Sequence, residues 1–244
     1  MTEYRIPYLA AARFGGADAG AFLQSQLSAD VLALRAGDTT FACYCTPKGK
    51  VLGLVLVERG DDDYRVAARD TLLPGILQRL QMYVLRSQVT IEPAPDLAVV
   101  GSAGPVYAVR GSGETPAAAD IDAWRATELR AGVAWLDEAS RESFIPQMLG
   151  FDTLGAVSFQ KGCYPGQEIV ARARYLGKVK RKPVIAELDG VHALENGGKL
   201  RLRRGDDWSD AVLVDHAGDG ERTVLFTVAP AEPAAASETV AAPE

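Results

Sequence analysis

The 244-residue sequence predicts an α+β protein with a small β-barrel at its C-terminal end. Through residue 182, hairpin-like pairs of apolar strands alternate with short amphipathic helices, which is typical of helices packed against antiparallel sheets. From residue 183, short strands separated by Gly turns replace the helices and favour a small closed sheet. We therefore divide the chain into an α+β region (1–182), a barrel (183–230) and a tail (231–244). The tail is rich in Ala, Pro and Glu and is predicted to be disordered.

Composition limits the class of protein. The chain has 26 Lys and Arg against 32 Asp and Glu, a net charge of −6, which argues against a general nucleic-acid-binding surface. Its three cysteines form no disulfide framework, which favours a reducing compartment. No segment approaches the about 18 apolar residues of a membrane span. We expect a cytoplasmic protein that does not associate with membranes.

The first elements follow from periodicity. Helical spacing of apolar residues predicts a helix over 19–27, with Asp18 as its N-cap. Apolar runs at 41–45 and 51–57 flank a turn containing Lys48-Gly49-Lys50 and predict a hairpin. Cys43 and Cys45 share one face of the first of these strands. Two thiols with both histidines far away supply too few ligands for zinc, so we predict no metal site.

The next elements alternate between strands and helices. Strands are predicted at 64–68, 89–92, 97–100 and 106–109, and a helix over about 71–83 with Asp70 as its cap. Residues 111–119 form a loop without periodicity. A second helix-like run starts at Trp124 and ends before Gly132, which is placed as a C-cap. From the residues alone, Trp124 is equally a large core anchor or part of a binding pocket.

The stretch with the most distinctive chemistry is Lys161-Gly162-Cys163-Tyr164-Pro165-Gly166-Gln167-Glu168. Gly and Pro indicate a loop, and the apolar pattern that follows opens a helix or a strand. If it is a helix, Cys163 lies just before its N-terminus, where free N–H groups and Lys161 favour a thiolate. Glu168 is then expected to cap the loop or to pair with Lys161. The alternative is an inert cysteine that acts as a small apolar residue.

A basic run follows this loop inside an otherwise acidic chain. It contains no acidic residue and consists of Arg172, Arg174, Lys178, Lys180, Arg181 and Lys182. Such a run is either a solvated face or a receptor for carboxylates or phosphates, such as a polyglutamylated folate tail or an RNA backbone.

Several segments resemble one protein family. K-G-C-Y-x-G-Q-E at 161–168 resembles the signature of the YgfZ family of folate-binding proteins. These proteins are relatives of the glycine-cleavage aminomethyltransferase (GcvT) and include mitochondrial iron–sulfur maturation factors. The G-A-D segment at 16–31, W-x-x-x-x-[IL]-x-A-G at 124–132 and I-P-Q-M-L-G-F-D at 145–152 also resemble the family. Pro165 departs from the signature, because family members often have Thr there, and the middle region is shorter.

The resemblance implies a GcvT-like folate-binding fold, with two α+β subdomains around a channel and a terminal barrel. It implies tetrahydrofolate or another folate derivative as cofactor, with Trp124 and Tyr8 as aromatic contacts. Cys163 would be the functional thiol, with Lys161 holding it as thiolate. Gly162 and Gly166 would shape the loop, and the remaining signature residues, Tyr164, Gln167 and Glu168, would fix its geometry. Arg130 occupies a position that is often acidic in the family.

Three functions are compatible with these features. The resemblance favours a folate-binding factor, without defined catalytic turnover, that supports the assembly or repair of iron–sulfur proteins and thereby tRNA modification. Its partners would be folate and iron–sulfur assembly proteins or client enzymes. The second is a tetrahydrofolate-dependent aminomethyl or one-carbon transferase, which rests on fold analogy alone. The third is direct tRNA binding through residues 172–182, which predicts strongly salt-dependent affinity.

Overall fold

A computed structural model describes residues 3–102, 106–114, 121–204, 207–231 and 238–241. Helices and strands alternate along the chain, and the predicted α+β class is confirmed. The strands are β1 (Glu3–Arg5), β2 (Leu9–Gly15), β3 (Thr39–Cys45), β4 (Val51–Arg59), β5 (Tyr64–Arg69), β6 (Thr90–Pro93), β7 (Leu97–Ser102), β8 (Val106–Gly111), β9 (Arg181–Asp189), β10 (Lys199–Arg204), β11 (Asp207–Gly218), β12 (Arg222–Pro230) and β13 (Glu238–Ala241). The helices are α1 (Ala19–Gln26), α2 (Leu73–Gln81), α3 (Ile121–Arg130) and α4 (Gln167–Tyr175).

The strands form three sheets. The largest open sheet has the order β3-β4-β5-β2-β6 and a smaller one the order β1-β7-β8, all with antiparallel neighbours. The third sheet is a closed barrel, β10-β11-β12-β9-β13. Strand β4 is buried over Val51 to Glu58. A strand that is covered on both faces has a nearly continuous run of apolar residues in its sequence, as β4 does.

Asp18 occupies the predicted N-cap position of α1 but makes no side-chain capping hydrogen bond, and the predicted cap of α2 at Asp70 is wrong. The carboxylate of Asp18 accepts a hydrogen bond from the backbone N–H of Gln88 (2.7 Å) and caps nothing in α1. Asp70 accepts one from Thr71 (2.8 Å), but α2 starts later, at Leu73. In both cases a partner other than the first helical turn takes the side chain. The predicted C-cap at Gly132 is confirmed by its φ of 85° after α3.

The barrel begins at Arg181, two residues before the predicted boundary, and includes part of the predicted disordered tail. Glu238–Ala241 forms β13, whose backbone pairs with β10 and β9 and closes the sheet. The prediction of disorder is therefore wrong for this segment. A strand can form there without a core-forming pattern because ladder hydrogen bonds use the backbone alone. The rest of the tail beyond Ala231 lies outside the described residues.

The barrel is joined to α3 by charged contacts. Arg125 forms an ion pair with the buried Asp215 of β11 (2.6 Å), and Arg130 pairs with Glu187 of β9 (2.8 Å) and with Asp219 (2.5 Å). Among the described residues, no helix is long and apolar enough to cross a bilayer.

Candidate functional site

The signature loop leads directly into a helix, as one of the two sequence interpretations predicts. α4 starts at Gln167, and its N-cap residue is Gly166, with a left-handed φ of 83°. Cys163 is exposed on the loop three residues before this cap. The helix therefore begins beside the thiol, and its free N–H groups lie at the same end as Cys163.

The loop is fixed by a close approach of two backbones. A Cβ atom placed on Gly166 would lie 2.6 Å from the Cα of Gly49 in the β3–β4 turn. A Cβ on Gly49 would in turn lie 3.0 Å from the Cβ of Ile169. Gly49 and Gly166 both have positive φ, which glycine adopts without strain. The hairpin turn and the start of α4 can pack this closely only because neither glycine has a side chain.

Lys161 fixes the other side of the loop. Its ammonium donates hydrogen bonds to the backbone carbonyls of Gln24 and Leu27, at the C-terminal end of α1. These carbonyls carry the negative end of the helix dipole and have no partner within the helix. Burial lowers the pKa of Lys161 to about 8. The predicted pairing with Glu168 is wrong, because Glu168 pairs with Arg172 (3.1 Å).

The three thiols have different environments. Cys43 and Cys45 are buried in β3, and burial raises the pKa of both, that of Cys45 to about 12. Cys163 is exposed. Tyr164, the next residue, is buried, and burial raises its pKa. The loop therefore turns its tyrosine inward and leaves its cysteine in solvent.

At the other end of β3, five aromatic side chains form a cluster. Tyr107 contacts Phe41 (5.2 Å between ring centroids), Trp124 (6.2 Å) and Trp135 (6.0 Å) edge to face. Tyr4 stacks on Trp124 at 5.5 Å. A Cβ on Gly101 would overlap the Trp124 ring, so this glycine makes room for the indole. Trp124 is thus packed in the core, in agreement with one of its two interpretations.

A buried carboxylate, Glu128, lies at the centre of this cluster. It accepts hydrogen bonds from the hydroxyls of Tyr8 and Tyr107 and from the indole N–H of Trp135 (3.1 Å). Burial raises the pKa of Glu128, and these three hydrogen bonds oppose the rise. Burial and the Glu128 carboxylate raise the pKa of both tyrosines. Tyr8 and Trp124 are linked through α3, because Tyr8 donates to Glu128, which lies one turn after Trp124.

Two buried donors beside the cluster have no hydrogen-bond partner among the described residues. They are Trp124 Nε1 and Arg69 Nη1. The guanidinium of Arg69 lies 5.2 Å from the centroid of the Tyr8 ring, as does that of Arg125. Buried donors without partners are rare in folded proteins, and a ligand with acceptor atoms would satisfy them.

Glu128 and Arg69 are not among the residues predicted from the sequence. Glu128 had a visible signal: a Glu one turn after Trp124 falls on the face of α3 that packs inward. Arg69 had none, because its place beside Tyr8 arises from the pairing of β2 with β5. Arg130, by contrast, points to the barrel carboxylates.

The predicted sites lie at two ends of one strand. Phe41 packs in the aromatic cluster, whereas Thr46, just after Cys45, approaches Gly166 in the signature loop. Four residues of strand correspond to about 13 Å. Within the described residues, no hydrogen bond, ion pair or ring contact joins Cys163 to the cluster.

The basic run continues from α4 into the barrel. All six side chains are exposed, and the only ion pairs that they make with described residues are those of Arg172 with Glu168 and of Arg174 with Asp152 (3.9 Å). The run is therefore a net positive surface on an acidic protein.

Comparison with known proteins identifies relatives over most of the chain. The tRNA-modifying protein YgfZ of Klebsiella pneumoniae is 30% identical over 255 aligned positions, which cover 85% of this chain and 78% of that protein. The YgfZ protein of Sodalis glossinidius is also 30% identical, over 79% of this chain and 73% of its own length. An uncharacterized Haemophilus influenzae protein is 30% identical over 85% of this chain and 79% of its own. No family profile matches the sequence.

The fold has a solved counterpart. The glycine cleavage system aminomethyltransferase T from Bartonella henselae superposes with a TM-score of 0.65, over 93% of this chain and 78% of that protein. At 12% sequence identity, this similarity establishes the fold alone. The GcvT-like fold predicted from the sequence is confirmed.

Proposed function

The chain belongs to the YgfZ family of tRNA-modifying proteins, and we propose that it is a folate-binding factor for iron–sulfur protein assembly or repair. In this proposal it supports tRNA modification through an iron–sulfur enzyme, and Cys163 is the thiol that acts on the client or assembly partner. The protein acts in the cytoplasm, where thiols stay reduced.

The observation that carries the proposal is the contrast among the three thiols. Cys163 is exposed on a loop anchored by Lys161 and Gly166, while Cys43 and Cys45 are buried and have raised pKa values. Reaction with a partner requires an accessible sulfur, which Cys163 alone offers among these three thiols. Because the Lys161 ammonium donates to carbonyls of α1, its proposed role is to position the loop rather than to contact the thiol.

The test is complementation of a bacterial strain that lacks its own YgfZ protein. We expect Cys163→Ser to fail to restore methylthio modification of tRNA by the iron–sulfur methylthio-modifying enzyme, measured by mass spectrometry of tRNA nucleosides. Cys45→Ser is the matched control and should restore it, provided that immunoblots show equal protein levels. Full restoration by Cys163→Ser would refute the proposed role of the thiol.

The residues around the aromatic cluster fit a folate. Trp124 Nε1 and Arg69 Nη1 are buried donors that have no hydrogen-bond partner among the described residues, and an acceptor-rich pterin ring would supply partners for them. Tyr8 supplies an aromatic face, and Glu128 fixes its orientation by accepting its hydroxyl hydrogen bond. Trp124, Tyr8 and Arg69 would hold the ring, and the bound folate would supply a one-carbon carrier.

This part of the proposal is tested by titrating the protein with tetrahydrofolate and following tryptophan fluorescence. We expect saturable binding at micromolar concentrations by the wild type. Arg69→Gln should weaken it at least tenfold, because hydrogen bonds to charged groups contribute about 1.5–3 kcal/mol. Arg86→Gln, an exposed arginine with no ion pair to a described residue, is the control. Equal affinity in all three proteins would place the folate elsewhere.

A one-carbon transferase is less well supported. Glu128 is the buried carboxylate nearest to Trp124 in sequence, but its two oxygens already accept three hydrogen bonds. A general acid or base has to exchange a proton with the substrate, which this arrangement does not favour. Turnover of an aminomethylated carrier protein with tetrahydrofolate would establish the enzyme instead.

A further inference from the structure

A second groove lies between the segment 147–154, α4 and the start of the barrel. It consists of two adjoining cavities of about 430 and 380 Å³, which share Gly150, Thr153 and Pro183. We call them the polar and the apolar cavity. Neither is lined by Trp124, Tyr8 or Arg69, so the groove is separate from the aromatic cluster.

The polar cavity contains a buried acceptor without a partner. Gln147 is 6% exposed, and its amide nitrogen donates to the carbonyl of Val170 (2.7 Å). Its other amide atom, Oε1, is buried and has no hydrogen-bond partner among the described residues. Since the nitrogen is held by a carbonyl, the amide orientation is fixed and the free atom is an acceptor. An N–H donor of a bound ligand would satisfy it.

Asp152 supplies a second acceptor in the same cavity. Its side chain is 15% exposed, its carboxylate accepts no hydrogen bond from a described residue, and its ion pair with Arg174 is long, at 3.9 Å. A neutral amide oxygen and a carboxylate together suit a cationic group with several N–H donors, such as an ammonium.

Two cations complete the polar cavity. Arg174 and Lys182 line it, and Lys182 makes no ion pair with another described residue. An arginine with a lysine beside it is a typical receptor for a carboxylate. The polar cavity therefore offers acceptors for an ammonium and donors for a carboxylate.

The adjoining cavity is lined by aliphatic and aromatic side chains. Leu149, Leu154, Ile185 and Phe226 contribute to its wall, and Ile185 is 37% exposed although it is apolar. Gly150 and Pro183 are in contact, whereas the exposed Thr153 lines both cavities. An apolar group that extends from the polar cavity over Thr153 would be removed from water in this space.

From this combination we propose that the groove binds an α-amino acid with a large apolar side chain. The ammonium group lies at Gln147 and Asp152, the carboxylate at Arg174 and Lys182, and the side chain against Leu154 and Ile185, which have accessible surface in the apolar cavity. This site goes beyond the proposed folate function and assigns a role to two residues of the basic run.

The experiment titrates the full-length protein with L-leucine and with L-phenylalanine, using isothermal calorimetry and NMR. We expect saturable binding of at least one of them. Leucinamide, which lacks the carboxylate, and N-acetyl-leucine, which lacks the ammonium, should each bind at least tenfold more weakly. L-glutamate, which lacks an apolar side chain, should also bind more weakly.

Variants separate the groove from general charge effects. Lys182→Gln and Arg174→Gln should each weaken the amino acid at least fivefold, whereas Lys178→Gln, an exposed lysine outside the groove, should not. Tetrahydrofolate affinity, measured on the same proteins, should stay unchanged. The proposal is overturned if the wild type binds neither amino acid at concentrations up to 10 mM, since a dissociation constant of 10 mM corresponds to a binding free energy of about 3 kcal/mol. It is also overturned if Lys182→Gln and Lys178→Gln bind alike.

Discussion

The two ends of strand β3 differ in how their polar groups are satisfied. At the Phe41 end, Glu128 is buried and each of its oxygens accepts at least one hydrogen bond. At the Cys45 end, the packed glycines and Lys161 fix the backbone, but the Cys163 side chain is exposed. In our proposal, the first arrangement stabilises the fold around the folate site, and the second presents the Cys163 thiol to a partner. The predictions below test whether stability and function separate in this way.

The largest effect is expected at the buried carboxylate. Glu128→Ala leaves the donors of Tyr8, Tyr107 and Trp135 without an acceptor, and we expect it to lower the free energy of unfolding by about 3–5 kcal/mol. Urea denaturation followed by circular dichroism measures this. Thr127→Ala, on the exposed face of the same helix, should change it by less than about 0.5 kcal/mol. A loss below about 1 kcal/mol for Glu128→Ala would show that the cluster does not depend on this carboxylate.

The stability of the signature loop should depend on Gly166 and not on Gly162. Gly166→Ala places a Cβ against Gly49 at a φ of 83°, and we expect a loss of about 2–3 kcal/mol together with loss of complementation. A Cβ on Gly162 would meet no atom of the described residues within 4 Å, and Gly162 has no positive φ, so Gly162→Ala should be nearly neutral. If both variants unfold at the same urea concentration as the wild type, the close packing of the loop is not required.

The smallest effect concerns acid stability of the contact between α3 and the barrel. Hydrogen bonds from Arg130 and from two backbone N–H groups lower the pKa of Asp219 to about 2, and Arg222 and Arg130 lower that of Glu187. A carboxyl whose pKa is lower in the folded than in the unfolded state stabilises the folded protein at pH values above the unfolded-state pKa. This contribution is lost as the pH falls through the folded-state pKa.

Wild-type stability should therefore fall more steeply between pH 4 and about pH 2 than that of Arg130→Gln. Urea midpoints at a series of pH values measure the difference, with Arg86→Gln as the control that should follow the wild type. Parallel curves for wild type and Arg130→Gln would mean that this ion pair contributes nothing to stability.

Local pattern accounts for the fold better than for the sites. The β3–β4 hairpin, α2, α3 and the barrel follow from periodicity and turn residues. Lys161 could not be placed in this way, because its carbonyl partners, Gln24 and Leu27, lie more than 130 residues earlier in the chain. β13 was missed because its pairing uses backbone groups that carry no side-chain signal. The signature loop was identified because its residues follow one another in the sequence, whereas the Glu128 cluster joins residues from four separate segments.

The most direct test of the central claim, that the two ends of β3 are separate sites, uses one variant and two readouts. Cys163→Ser should bind tetrahydrofolate with wild-type affinity while failing to restore methylthio modification of tRNA in the complementation strain. Trp124→Phe, which alters only the cluster, should show weakened folate binding. The account is contradicted if Cys163→Ser supports full modification, or if its folate affinity falls as far as that of Trp124→Phe.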